Sequence, residues 1–128
     1  MMDNGAVRTN IAPWLKVSDG RLALEYYKGA FGAVELYRLE DDTDRVIVAQ
    51  LAIDQADFWL QEDTAFIAGE QEGGIRMILT VEDPDSVLTQ AMAAGGIEIA
   101  AINEEHGWRI GRIADPFGHH WEVGKPLP

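Results

Sequence analysis

The side chains best suited to acid–base or metal chemistry lie near the end of the chain: His106, His119, His120 and Glu122. His119 and His120 are adjacent, so on a strand they point to opposite faces, and His120 shares its face with Glu122. An imidazole and a carboxylate on one face could begin a metal site or an acid–base pair. The same histidines also fit local hydrogen bonding around the turn Asp115-Pro116-Phe117-Gly118 that precedes them. His106 sits in the loop-like run Glu104-Glu105-His106-Gly107 and could approach. The sequence has no cysteine, which excludes disulfides, thiolate catalysis and cysteine-bound metal. Glycine-rich phosphate loops and a Ser-His-Asp arrangement are absent too.

Aromatic residues are the second chemical signal. Four tryptophans, Trp14, Trp59, Trp108 and Trp121, are many for 128 residues. Aromatic walls with a few convergent polar groups suit a small organic ligand. Trp121 lies on the face opposite Glu122 and reads as core. Trp14 reads as pocket lining and Trp108 as a cover at one end, while Trp59 fits either role.

The elements that must position these groups come in two similar sets. Ile11 to Asp19 reads IAPWLKVSD and Ile75 to Asp83 reads IRMILTVED, so that Leu15, Val17 and Asp19 match Leu79, Val81 and Asp83. Each segment alternates like a strand and ends in an acid placed to cap a helix. The first helix is expected over Gly20–Phe31, with Leu22, Tyr26, Tyr27, Ala30 and Phe31 on one face and Gly32 as its stop. The second has Asp83 as N-cap, Pro84 at its first position, an apolar face of Val87, Leu88, Ala91 and Met92, and Gly95-Gly96 at its end. Three strands follow each helix: Val34–Leu39, Arg45–Ile53 and Ala56–Leu60, then Ile97–Ile102, Trp108–Ala114 and His119–Val123. Each half is therefore β-α-β-β-β, the first over about 8–62 and the second over about 75–125, joined by a linker at about 63–74. A half of about sixty residues is marginal alone, so the two should fold as one domain spanning 1–128.

Composition narrows the partners. Ten basic against twenty-two acidic side chains give a formal charge of −12, which argues against nucleic acid and anionic membrane surfaces. The acidic surface can attract a cationic small molecule by steering, but solubility alone is the stronger reading of it. The runs Asp41-Asp42-Thr43-Asp44, Glu62-Asp63 and Glu70-Gln71-Glu72 read as solvated connections. No apolar run approaches the ~20 residues of a membrane span, and none reads as a signal peptide, so a cytoplasmic protein is expected.

Several segments together resemble a known group. They are Ala12-Pro13-Trp14-Leu15-Lys16-Val17, Glu25 to Ala33 (EYYKGAFGA), Gly107 to Arg112 (GWRIGR) and Asp115 to Glu122 (DPFGHHWE). With the paired β-α-β-β-β modules, they resemble the vicinal-oxygen-chelate superfamily of glyoxalases, bleomycin-resistance proteins and dioxygenases, in its PhnB-like branch. The resemblance implies an α+β fold in which two βαβββ modules form a curved mixed β-sheet, with a ligand held on its concave face. It also implies a homodimer, with modules paired within one chain or across two. It does not specify a reaction, because the superfamily includes isomerases, dioxygenases, thiol transferases and drug binders without activity.

Catalytic members of the group hold one divalent ion with four side chains, from the first and last strand of each module. Carried onto this chain, the first-strand positions are Ala12, which cannot ligate, and Arg76, a permanent cation. The last strand of the first module offers Trp59, Leu60 or Gln61, and that of the second offers Glu122. One carboxylate in four does not make the family's metal site, so no cofactor is expected. Strand alternation places Ala12, Trp14 and Lys16, with Arg76, Ile78, Thr80, His120 and Glu122, on the face away from the helices. There Arg76 and Glu122 should pair, the guanidinium standing where the ion would be; such a pair can orient a ligand or be purely structural.

The leading expectation is a metal-independent binding protein for a small organic ligand. Its ligand-binding residues would be Trp14, Lys16, Gln50, Trp59, Gln61, Arg76, Trp108, His120 and Glu122. The alternative is a lyase, isomerase or dioxygenase. It would use a divalent metal on Glu122 and His120, with Gln50 or Gln61, or it would use Glu122 as a metal-free general base with Arg76 holding a carboxylate or enolate.

Overall fold

The computed structural model describes residues 10–66 and 76–128. Most of the linker and the start of the first module, at residue 8, lie outside the described residues. The elements are β1 Trp14–Val17, α1 Gly20–Phe31, β2 Val34–Glu40, β3 Val46–Ile53 and β4 Ala56–Glu62. They repeat as β5 Met77–Thr80, α2 Pro84–Ala93, β6 Ile97–Glu105, β7 Trp108–Ala114 and β8 His120–Pro126. The expected β-α-β-β-β order therefore occurs twice. Strand ends differ: β6 runs three residues further than expected, and His119 precedes β8 rather than opening it. Among the described residues no helix is long and apolar enough to cross a membrane.

Each helix starts where a carboxylate meets free amides. Asp19 accepts from Leu22 N at 3.0 Å and Asp83 from Ser86 N at 3.2 Å, satisfying amides that the first turn leaves without partners. A second carboxylate, Glu62 at the end of β4, accepts from Gly20 N at 2.9 Å and pairs with Arg45. Glu62 was expected in a solvated run; instead its side chain is 9% exposed. Gly32 ends α1 in the left-handed region at φ 68°, its N–H returning to Lys28 O and Tyr27 O. The buried stripe of α1 is Ala23, Leu24, Tyr26, Tyr27 and Ala30, whereas Leu22 is 57% exposed. Leu22 therefore leaves the expected apolar face, and Ala23 and Leu24 take its place against the sheet.

The single curved sheet expected from the sequence does not form. The strands divide into two four-stranded mixed sheets, ordered β1-β4-β3-β2 and β5-β8-β7-β6, and neither is strongly curled. The reason lies at the strands that would have joined them. Among the described residues β1 pairs in parallel with β4 alone and β5 with β8 alone, so each is an edge among them. Trp59 N and Asp63 N donate to Pro13 O and Val17 O, which leaves Lys16 O, one residue out of phase, on the free edge of β1. There the carbonyl accepts from His119 Nε2 at 2.7 Å, so a side chain from the β7–β8 turn reaches β1 instead of a strand.

The modules are held together on their helix-bearing faces, which share one core. Trp121 packs on Phe31 with ring centroids 4.7 Å apart, on Phe58 at 5.6 Å and on Tyr27 at 5.7 Å. Tyr26 Oη donates to Ala91 O at 3.2 Å, and Gln90 Nε2 to Gly29 O at 2.9 Å, tying α1 to α2. At the centre is Asp115, a carboxylate only 2% exposed. It accepts from Tyr27 Oη at 2.6 Å, Trp121 Nε1 at 2.9 Å, Phe117 N at 2.9 Å and His119 N at 3.0 Å. Four donors compensate a charge that would otherwise be costly to bury.

Candidate functional site

Among the described residues the helices fill one face of each sheet and leave the other open. Strand alternation sends Leu15, Val17, Phe58 and Leu60 into the core and their neighbours outward. On the first sheet the pairs Trp14↔Trp59, Gln50↔Trp59 and Tyr37↔Gln50 make one continuous row across β1, β4, β3 and β2. Trp14 and Trp59 stack at 5.9 Å and 19°, and Tyr37 lies 6.0 Å from Trp59. Trp14 Nε1 donates to Gln61 Oε1 at 2.9 Å, which fixes the indole orientation. Next to the row, Asp57 accepts from Gln50 Nε2 at 2.8 Å, and Lys16 Nζ lies 3.8 Å from Asp63.

The same row of the second sheet is Ile78↔Glu122↔Arg112, continued by Ala100. Here the chemistry is ionic. Glu122 Oε2 accepts from Arg112 Nη2 at 2.7 Å and sits 3.3 Å from Arg76 Nη1. The expected Arg76–Glu122 pair is present, with Arg76 half exposed and Glu122 largely covered. Arg112 is the partner that sequence reasoning missed. Comparing the two registers also resolves the last strand of the first module: Trp59 occupies the place that Glu122 occupies in the second. Leu60 is fully buried in the core.

These groups do not all converge. Trp14, Gln50, Trp59 and Gln61 form one cluster with Lys16 at its edge, and Arg76 and Glu122 form another. Among the described residues no hydrogen bond or ion pair joins the two. Trp108 opens β7 on the same open face as Arg112, but it pairs with Pro126 and Glu105 at the far end of the strand. It makes no aromatic contact with the other tryptophans among the described residues. His106 turns the β6–β7 hairpin at φ 54°, at the opposite end of that sheet from His120. His120 shares the Glu122 face, whereas His119 bonds to β1 and stacks on Phe66 at 5.5 Å.

The donor set can be tested against the metal that the superfamily's catalytic members hold. The four positions are Ala12, Trp59, Arg76 and Glu122. They supply one carboxylate, and two guanidiniums already share one of its oxygens. These residues do not fit a divalent ion. Among the described residues no group of three or more His, Asp or Glu side chains could hold one.

The repeated modules and the open sheet faces place the chain in the vicinal-oxygen-chelate superfamily, with the glyoxalase/bleomycin-resistance/dioxygenase fold. Within it, residues 14–124 match the glyoxalase-like domain, and the chain belongs to that family. It is 35% identical over 130 residues to an uncharacterised protein of Mycobacterium bovis, an alignment covering 94% of this chain and 86% of that one. Two solved structures share the fold at lower identity. TioX from Micromonospora sp. ML1 superposes with a TM-score of 0.76 at 21% identity, over 94% of this chain and all of that one. The fosfomycin resistance protein FosX from Listeria monocytogenes gives 0.73 at 15% identity, over 95% of this chain and 96% of FosX.

Proposed function

We propose that this protein binds a small organic ligand on the open faces of its sheets without a metal, the Arg76–Glu122–Arg112 cluster standing where the ion would be. The observation that carries the reading is the engagement of Glu122 by two guanidiniums. A carboxylate so held has little capacity left for a cation, and a guanidinium at half exposure has donors left for a ligand. The aromatic row of the first sheet supplies the apolar surface such sites use.

The site is completed by a second copy of the chain. Trp14, Tyr37 and Leu39 on the first open face and Ile78 and Ile97 on the second are each about half exposed or more. Exposed apolar side chains of this size are the kind that pairing buries. A two-fold dimer would cover them and turn open rows into walls of a cleft.

Elemental analysis of gently purified protein, run beside Glu122→Ala and paired with native mass spectrometry, tests the reading. The expected result is no stoichiometric divalent metal in either protein and a retained organic adduct that chelator does not remove. Metal at one equivalent per chain that disappears in Glu122→Ala would overturn it.

A further inference from the structure

Solvent-exposed tryptophan stacks are unusual when a shared core is at hand. Tyr27, Phe31, Phe58, Phe117 and Trp121 cluster inside the molecule, yet Trp14 remains 52% exposed against Trp59. The pair is held in place by the Gln61 hydrogen bond and by the register of β1 on β4, so its ring faces are preformed. Preformed aromatic faces bind flat rings with little ordering cost.

The charges around the pair discriminate among flat rings. Asp57 lies on the same face of β4 as Trp59 and Gln61, two residues before Trp59. Its hydrogen-bond partners among the described residues are the neutral amides of Gln50, at 2.8 Å, and Asn10, at 3.3 Å. Neither cancels its charge. Lys16, the nearby cation on this face among the described residues, lies 3.8 Å from Asp63, which offsets it. Ring faces attract cations through their quadrupole, and a chain of net charge −12 draws cations toward it.

Resting on the binding reading above, we infer that the Trp14–Trp59–Tyr37 platform takes a flat aromatic cation, with Asp57 as its counter-charge. The stacking supplies the contact area, and the carboxylate selects the sign.

The test uses two tricyclic probes of opposite charge, proflavine and 2-anthracenecarboxylate, titrated with the full chain and followed by probe fluorescence polarisation. Saturable proflavine binding is expected, weakened up to about fivefold by Asp57→Asn and abolished by Trp59→Leu. Trp14→Leu, at an exposed position on an edge strand, gives the same loss if Trp59→Leu fails to fold. Tighter binding of the anion would overturn the inferred ligand class while leaving the binding reading intact. Proflavine binding unchanged in all three variants would reduce the effect to attraction by the acidic surface and overturn the inference. Binding of neither probe would overturn it too, and the retained adduct in native mass spectrometry would then decide the broader reading separately.

Discussion

Asp115 shows how one side chain ties the halves together. Its carboxylate belongs to the second module and Tyr27, its shortest hydrogen-bond partner at 2.6 Å, to the first. Replacing Tyr27 with Phe leaves a buried acceptor with one donor fewer and should lower stability by about 1–3 kcal/mol, read from urea denaturation followed by circular dichroism. The alkaline limb carries the same signature. Burial first, then the Asp115 charge, holds the Tyr27 hydroxyl well above its ordinary 10.0. The folded chain thus keeps a proton that the unfolded chain releases. Its contribution is full below the ordinary tyrosine range and is lost as pH rises beyond it. Stability should therefore fall above pH 10, and less steeply in Tyr27→Phe, with the remaining slope carried by Tyr26, also raised by burial. Side chains of this kind were unevenly legible in the sequence. Alternation placed Trp121 in the core, and alternation together with the superfamily's ligand positions set Glu122 beside Arg76. Arg112 could have been found by counting outward from the turn, since Ala114 faces His120 across β7 and β8. Glu62 could not: nothing local says that an acid ending a strand will cap a helix 42 residues earlier.

The elements were legible where turns are short and illegible where strands bulge. Two residues, Asp54 and Gln55, separate β3 from β4, so Ile53 faces Ala56 and the Gln50↔Trp59 pair follows by counting. Between β2 and β3 the register slips at Leu36, and between β6 and β7 it slips again around Ile99, at corresponding places in the two modules. A bulge adds a residue without changing composition, so Tyr37 could not be assigned to the tryptophan row from sequence. The approach of α1 to β3 was equally hidden. A Cβ on Gly20 would lie 2.2 Å from Val46 O, closer than any side chain tolerates. Gly20→Ala should force the helix start off the sheet and cost about 1–3 kcal/mol, seen as a lower urea midpoint with unchanged slope.

At the scale of the molecule, the expected module order was right and the expected curved sheet was wrong, because order is written in local pattern and sheet continuity depends on edges meeting across the chain. The two open faces carry the last prediction. Sedimentation equilibrium should give a dimer, and Ile78→Asp, at a residue 65% exposed, should shift it toward monomer while circular dichroism stays the same. A native chain that remains monomeric at tens of micromolar would refute pairing through these faces. The alternation that separates core from open face also separates two kinds of constraint. Inward residues of both modules must fit one shared interior and one another, so each is bound by many neighbours. Outward residues answer mainly to whatever lies in front of them. Within this one chain, corresponding rows have become Trp14, Trp59, Gln50 and Tyr37 in one module and Ile78, Glu122, Arg112 and Ala100 in the other. A frame of this kind can exchange its recognition chemistry row by row while its folding remains almost undisturbed.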